Sequence, residues 1–136
     1  MNIDQQILDH LFHKWGSDSE KLALNEKYRY TPPYPTLALD DFIPYNVAKL
    51  LYEESQTIPN KYWTTFTRAD SYMEECLQLD EAPVARGVVS ALHSREFLTW
   101  LSQVCDVKHI LPDPYLVGAG YMKSYKGCLL YTSPSP

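Results

Sequence analysis

The chain has few cysteines, a minority of basic residues and no long apolar run. Three cysteines among 136 residues are too few for a disulfide framework, so we expect a reducing compartment. Lysine and arginine number 12 against 17 aspartates and glutamates. The resulting net charge of -5 argues against nucleic acid and anionic membrane surfaces as partners. No apolar stretch approaches the roughly 20 residues that span a bilayer, and the length fits one globular domain.

The first residues lack the basic segment and unbroken apolar stretch of a secretory signal. Apolar residues instead recur at helical spacing over residues 3–15, and Gly16 follows as a helix-ending glycine. We therefore predict an amphipathic helix and a cytoplasmic location. His10 and His13 lie three residues apart on this helix, but two ligands make a poor metal site, so surface positions are favoured.

The next segment contains little apolar periodicity and three clustered prolines. Residues 17–30 are polar and mixed in charge, and they are predicted as a loop. The sequence YRYTPPYP over residues 28–35 is predicted as an extended surface strap, because its prolines remove backbone donors. Alternating apolar residues over 37–42 predict a half-buried strand.

A second helix is indicated after this segment. Pro44 suits its first turn, and an apolar face over residues 47–51 leaves Glu53 and Glu54 toward solvent. Residues 61–69 are rich in aromatic and β-branched side chains and predict a strand.

Five acids and no base lie between Arg68 and Arg86. They are Asp70, Glu74, Glu75, Asp80 and Glu81. They have no regular ligand spacing and no histidine among them, so a solvated acidic face is favoured over a metal site.

The last third of the chain predicts one helix and one strand. Ser94 is a suitable N-cap and Glu96 places negative charge in the first turn. The predicted buried stripe of this helix consists of Phe97, Leu98, Leu101, Val104 and Cys105. Prolines at 112–114 interrupt the chain, and residues 115–125 predict a strand with a glycine-containing bend.

The residues alone form no complete catalytic constellation. The chain contains no His-x-Asp, His-x-Glu or HExxH pattern, and neither His93 nor His109 has an acid at a ligand spacing. The Gly-Ala-Gly at 118–120 lacks the third glycine and the helix of a nucleotide-binding loop, so a bulge or close backbone approach is expected. Cys76 and Cys105 are predicted as small buried hydrophobes. These observations predict a soluble α+β domain with a tyrosine-rich surface or cleft.

Three stretches, taken in order, resemble the 2-oxoglutarate- and Fe(II)-dependent dioxygenases of the prolyl-4-hydroxylase-like group. They are LDDFIP at 39–44, SREFLTWL at 94–101 and LPDPYLVGAGY at 111–121, of which the third is the most specific. The resemblance covers residues 37–127. It implies N-terminal helices packed on the first strands of an incomplete double-stranded β-helix (jelly-roll) core, with residues 1–127 as the N-terminal part of one oxygenase domain.

The resemblance also implies a chemistry. It implies hydroxylation of an unactivated C–H bond with Fe(II), O2 and 2-oxoglutarate as cofactors, allows ascorbate as an addition, and points to a protein, peptide or small-molecule substrate. In this family a His-x-Asp/Glu pair and a later His hold the iron, and a distal Arg or Lys binds 2-oxoglutarate. The chain matches none of these positions, so it offers no catalytic or metal residue and is expected to be inactive as it stands.

Two tyrosines are the candidate cofactor-binding residues. Tyr125, and less closely Tyr121, match a family tyrosine that hydrogen-bonds 2-oxoglutarate. A four-residue spacing places both on one face of a strand that has no bulge. An ordinary strand tyrosine is the alternative for each.

The sequence after Gly127 departs from the family pattern. Residues 128–136, CLLYTSPSP, match the translation of a transposon-end sequencing adapter, so we expect a non-native tail. About 21 residues after Tyr115 are too few to close an eight-stranded roll, so we expect poor stability or aggregation. A second hypothesis is a non-catalytic interaction module that uses the strap at 28–35 and the acidic face.

Overall fold

The computed structural model describes residues 2–68 and 71–127 as an α+β fold. Its elements, in chain order, are α1 (Ile3–Trp15), α2 (Asp18–Tyr30), α3 (Tyr45–Thr57), β1 (Thr64–Arg68), β2 (Ser71–Cys76), α4 (Pro83–Leu92), α5 (Arg95–Cys105) and β3 (Tyr121–Ser124). The three strands form an antiparallel sheet in the order β1-β2-β3. None of the described helices has the length and apolar character needed to cross a bilayer. The predicted tail, 128–136, lies outside the described residues.

The first predicted helix is confirmed at both ends. α1 stops where Gly16 donates its backbone N–H to the carbonyl of Phe12 at 3.0 Å. Its apolar stripe is buried, with Ile7 and Leu11 almost completely removed from solvent.

The prediction of a loop over residues 17–30 is wrong, because this segment forms α2. The Ser17 hydroxyl accepts the Glu20 N–H at 3.2 Å and caps the helix. The buried Asn25 donates its side-chain amide to the carbonyl of Val104 at 2.8 Å. A polar residue therefore attaches α2 to α5, and a search for apolar periodicity misses such a helix.

The strand predicted over residues 37–42 is also wrong. These residues lie outside the sheet, and their apolar side chains pack around the buried Trp100. The extended strap predicted over 28–35 is wrong at its start, because residues 28–30 form the end of α2. Tyr30, the last residue of that helix, and Tyr34 are 77% and 67% exposed. Apolar and polar residues do alternate over 37–42, but the apolar ones contact helices and do not line a sheet.

Three apolar clusters hold the elements together. Ile7 lies in the first, between α1, α3 and α4, and Leu11 and Trp100 lie in the third, between α1, α2 and α5. The second cluster joins the sheet to α4 and contains Cys76, which is buried as predicted. Cys105 is half-buried at the edge of the third cluster.

The start of α5 is confirmed, although its most important core residue was not predicted. The Ser94 hydroxyl accepts the Phe97 N–H at 3.2 Å. Trp100 and Val104 are the buried residues of the helix, and Trp100 donates its indole N–H to the carbonyl of Trp15 at 2.9 Å. The helix before it, α4, is not indicated by a local cap.

The sheet changes the interpretation of two segments. β1 lies within the predicted strand, whereas β2 was not predicted and β3 covers only the end of the predicted 115–125 strand. Because side chains alternate along a strand, Glu74 and Glu75 point to opposite faces of β2. Asp80 instead forms an ion pair with Arg86 at 2.8 Å. Asp70 lies outside the described residues, and Glu74, Glu75 and Asp80 do not share one acidic face.

Candidate functional site

The two predicted tyrosines lie on the side of the sheet that faces the helices. Tyr121 is paired across the strands with Cys76, and Lys123 is paired with Glu74. Directly opposed residues of antiparallel strands share a face. Tyr125 follows the end of β3, and its hydroxyl reaches the same Glu74. The structure thus brings both tyrosines to one side of the sheet.

The carboxylate of Glu54, on α3, lies next to Tyr121. α4 begins with Pro83, and the residue at its N-cap is Ala82, which has no side-chain acceptor. Glu54 supplies the acceptor instead, since its Oε2 accepts the Val84 N–H at 2.8 Å and its Oε1 accepts the Ala85 N–H at 3.0 Å. A negative charge at a helix N-terminus is also favoured by the helix dipole.

Tyr121 joins this arrangement through its phenol. The hydroxyl donates to Glu54 Oε1 at 2.8 Å, and the Leu51 carbonyl lies 3.1 Å from the same hydroxyl. Burial, followed by the hydrogen bond to the Glu54 carboxylate, raises the pKa of Tyr121 above its usual range. The prediction that Glu54 faces solvent is therefore wrong: it links α3, α4 and β3. The Ala82-Pro83 pair, a helix start without its own acceptor, was the sequence signal for it.

Lys123 lies over an aromatic ring between the two tyrosines. Its Nζ is 3.6 Å from the centroid of the Trp63 ring, close enough for a cation–π interaction. The Trp63 ring in turn lies 6.4 Å from the Tyr121 ring. The lysine is consequently held against the Trp63 ring.

Tyr125 belongs to the outer end of the same surface. Glu74 accepts a hydrogen bond from the Tyr125 hydroxyl at 3.0 Å and another from the Tyr72 hydroxyl at 3.0 Å. The two rings contact edge to face with centroids 5.0 Å apart. The hydrogen bond to Glu74 raises the pKa of Tyr125.

Each candidate tyrosine therefore donates its proton to a carboxylate of the chain itself. A ligand carboxylate at Tyr125 would have to displace Glu74, and the nearby cation that could assist it is Lys123. Tyr121 is held by Glu54 beneath the sheet and serves to attach β3 to the helices. A role of Tyr121 and Tyr125 in binding 2-oxoglutarate stays a prediction.

A metal site is not formed by the described residues. Over 2–68 and 71–127, no group of three or more His, Cys, Asp or Glu side chains comes together at a distance suited to one ion. In the predicted histidine pair, His10 Nε2 lies 2.7 Å from the Asp41 carbonyl oxygen, and His13 is exposed.

The glycine segment before β3 makes a close backbone approach. A Cβ placed on Gly120 would lie 2.1 Å from the carbonyl oxygen of Cys76. The approach expected from the sequence is thus present, and it lets β3 enter its pairing with β2.

No protein-family model matches the chain, and no curated protein sequence matches it. The residues of the site themselves indicate what it does. Its two carboxylates, Glu54 and Glu74, each accept a tyrosine hydroxyl, and the first also caps a helix. This arrangement attaches the sheet to the helices and leaves a half-exposed tyrosine at the edge.

The raised pKa of Tyr121 predicts a loss of stability at alkaline pH. The folded state favours the neutral phenol, so its contribution is complete below the unfolded pKa of 10.0 and is lost as pH rises through the higher folded value. We expect the unfolding free energy to fall more steeply above pH 10.0 in the wild type than in Tyr121→Phe.

Urea denaturation across this range measures the two slopes. Tyr115→Phe removes a phenol that is 85% exposed and serves as the control, with a slope that should match the wild type. Equal slopes for the wild type and Tyr121→Phe would contradict the assignment.

Proposed function

We propose that residues 1–127 are the N-terminal part of a 2-oxoglutarate- and Fe(II)-dependent oxygenase that hydroxylates an unactivated C–H bond. The observation that carries the proposal is the ordered set of three stretches, 39–44, 94–101 and 111–121, that resemble this family. These stretches lead into α3, form the cap and first turns of α5, and lead into β3.

The face of the sheet opposite the helices supports a jelly-roll as the finer fold. Phe66 on β1 is paired with Met73 on β2, and Met122 lies on the same face of β3. Phe66 and Met122 are 44% and 60% exposed. Glu75 and Ser124 share this face. Its three apolar side chains favour a covering layer, and in a double-stranded β-helix that layer is a second sheet. The proposal places further strands of the intact protein against this face.

The described residues do not fit an iron centre, because they bring no set of three ligands together. A facial triad needs two histidines and a carboxylate around one ion. The proposal assigns the triad, and the base that binds 2-oxoglutarate, to other residues of the intact protein. No step of the reaction is assigned to this chain beyond a cosubstrate contact at Tyr125.

The gene from which this sequence comes tests the proposal directly. We expect it to continue after Gly127 with a glycine, an apolar residue and a His-x-Asp pair. Full-length protein from that gene should release succinate from 2-oxoglutarate only when Fe(II) is added, and the 136-residue chain should release none. Replacing the Asp of the pair by alanine is the matched control, since it removes one iron ligand.

Two results would count against the oxygenase. One is an intact downstream triad in a folded protein that releases no succinate. The other is a natural gene whose codons 128–136 encode CLLYTSPSP and whose stop codon follows Pro136.

That second result would favour an interaction module, for which the exposed tyrosines of the strap provide a specific observation. Tyr30, at the end of α2, and Tyr34 lie on either side of the paired prolines and are exposed. Proline-rich extended segments are recognised by aromatic grooves. Of the acids assigned to the same module, Glu74 and Glu75 lie on opposite faces of β2 and Asp80 pairs with Arg86, so the strap is the stronger binding surface.

A further inference from the structure

A cavity at the junction of α4 and α5 is lined by one arginine and two histidines. It has a volume of about 470 Å³, within the range of small-molecule pockets. His93 at the end of α4, Arg95 at the start of α5 and His109 in the following connection line it. It shares no residue with the sheet surface that carries Tyr121 and Tyr125.

No described acid forms an ion pair with the positive groups of this cavity, although Asp113 lies close enough to His93 for their charges to interact. No Asp or Glu lines it, and Arg95 has no carboxylate within ion-pair distance among the described residues. The remaining arginines with described side chains, Arg29 and Arg86, each bind an aspartate at 2.7 or 2.8 Å. Arg95 thus lines the cavity together with two imidazoles and without an ion-pair partner among the described residues.

The nearest acid along this connection is occupied by backbone amides. Asp113 accepts the Tyr115 N–H at 2.9 Å and the Val117 N–H at 2.8 Å, one with each carboxylate oxygen. These bonds form a turn that keeps both oxygens engaged. Asp113 forms no ion pair with Arg95.

The orientation of His93 is also determined by the backbone. Its Nδ1 lies 2.8 Å from the Val89 carbonyl oxygen, so that nitrogen carries the proton and donates it. Nε2 is then the ring atom left to a ligand. In a protonated ring Nε2 is a donor, and it can then bind an oxyanion together with the Arg95 guanidinium.

The rest of the wall is apolar or carries hydroxyl groups. Leu98 and Ile110 provide an apolar side, and Thr99 adds a hydroxyl. A ligand that suits this wall has one oxyanion and a short apolar body, because the anion satisfies the guanidinium and the body covers the leucine and isoleucine.

We propose that this cavity binds a small organic oxyanion, a phosphate or carboxylate on an aromatic or short aliphatic body, with Arg95 as its principal anchor. The proposal does not depend on the oxygenase assignment. It predicts binding by the chain whether or not further domains are present.

The experiment follows the imidazole resonances of the full 136-residue chain by NMR while ligand is added. The probes are phenyl phosphate, benzoate and the uncharged benzyl alcohol. We expect saturable shifts of the His93 and His109 resonances with at least one of the two anions and none with benzyl alcohol. Saturation with phenyl phosphate alone identifies a phosphate site, and saturation with benzoate as well identifies a general oxyanion site.

Two variants distinguish binding by Arg95 in this cavity from a general attraction of the anion to positive charge. Arg95→Gln should weaken binding about tenfold, the usual effect of losing a charge-assisted hydrogen bond. Lys108→Gln makes the same charge change beside His109, but Lys108 lines a neighbouring cavity, so we expect less than about a twofold change. Arg95 is exposed and has no described partner, so both variants should unfold at the wild-type temperature.

Three outcomes would overturn the proposal. The first is the absence of saturation with either anion. The second is equal weakening by Arg95→Gln and Lys108→Gln, which would reduce the effect to net charge. The third is an equal response to benzyl alcohol, which would leave only an apolar pocket.

Discussion

Replacing Glu54 by alanine is expected to lower the free energy of unfolding by about 3 kcal/mol. The carboxylate accepts the Val84 and Ala85 amide protons and the Tyr121 hydroxyl, all at 2.8–3.0 Å. Its removal leaves two half-buried helix donors and one phenol without this acceptor. Each such loss costs roughly 1–3 kcal/mol, and Ala82 cannot replace the missing cap.

The neighbouring acid provides a matched control for this variant. Glu53 lies one position earlier on α3 and is 3.9 Å from Lys49 in an exposed ion pair, so Glu53→Ala should cost less than about 1 kcal/mol. Urea denaturation of both variants measures the difference. Equal losses would show that Glu54 contributes no more than a surface charge.

Tyr121→Phe distinguishes the two roles of Glu54, which are to cap α4 and to accept the Tyr121 hydroxyl. The single variant loses one hydrogen bond, for about 1 kcal/mol, and leaves the cap of α4 in place. If the phenol and the carboxylate act as one unit, the double variant should cost less than the sum of the two single variants. An additive double variant would contradict the link between β3 and α4.

Elements with local start or stop signals could be predicted from the sequence. α1 has an apolar stripe followed by Gly16, and α5 has Ser94 as its cap, so neighbouring residues already specify both positions. β1 was found because its aromatic and β-branched content differs from the segments around it.

Elements that depend on distant residues could not be predicted in this way. α2 is secured to α5 by the buried Asn25, and α4 is capped by Glu54 from another helix. β2 contains Glu74 and Glu75, which resemble a solvated run until the register places one on each face. In each case the determining contact joins residues far apart in the chain, which local patterns do not record.

The candidate site was predicted to the same limited extent. Spacing predicted Tyr121 and Tyr125 on one side of a strand; the structure has Tyr121 in β3 and Tyr125 just after its end, with the Tyr125 hydroxyl reaching Glu74 on the side of the sheet that carries Tyr121. Their partners, Glu54 and Glu74, were assigned to solvent because a glutamate on a helix or acidic run usually lies there. A tyrosine hydroxyl on a packed sheet needs an acceptor, and that requirement was the physical reason to look for a carboxylate.

Gly120→Ala is expected to disrupt the pairing of β3 and to cost about 3 kcal/mol. The added Cβ would lie 2.1 Å from the Cys76 carbonyl oxygen and 3.0 Å from the Leu77 Cα, both backbone atoms that cannot rotate away. β3 would have to move from β2, which weakens the cross-strand pair of Cys76 and Tyr121. The hydrogen bond from Tyr121 to Glu54 should weaken with it.

Gly118→Ala is the control for this prediction, because a Cβ there meets nothing within 4 Å. Its φ of 77° makes alanine strained, so we expect a cost of only about 1 kcal/mol and unchanged strand pairing. Amide hydrogen exchange distinguishes the two, since protection should fall at the β3 amides that are bonded to β2 in Gly120→Ala alone. Full protection of β3 in Gly120→Ala would mean that the sheet absorbs the methyl group without separating, and that the approach of Gly120 to Cys76 is not what admits β3.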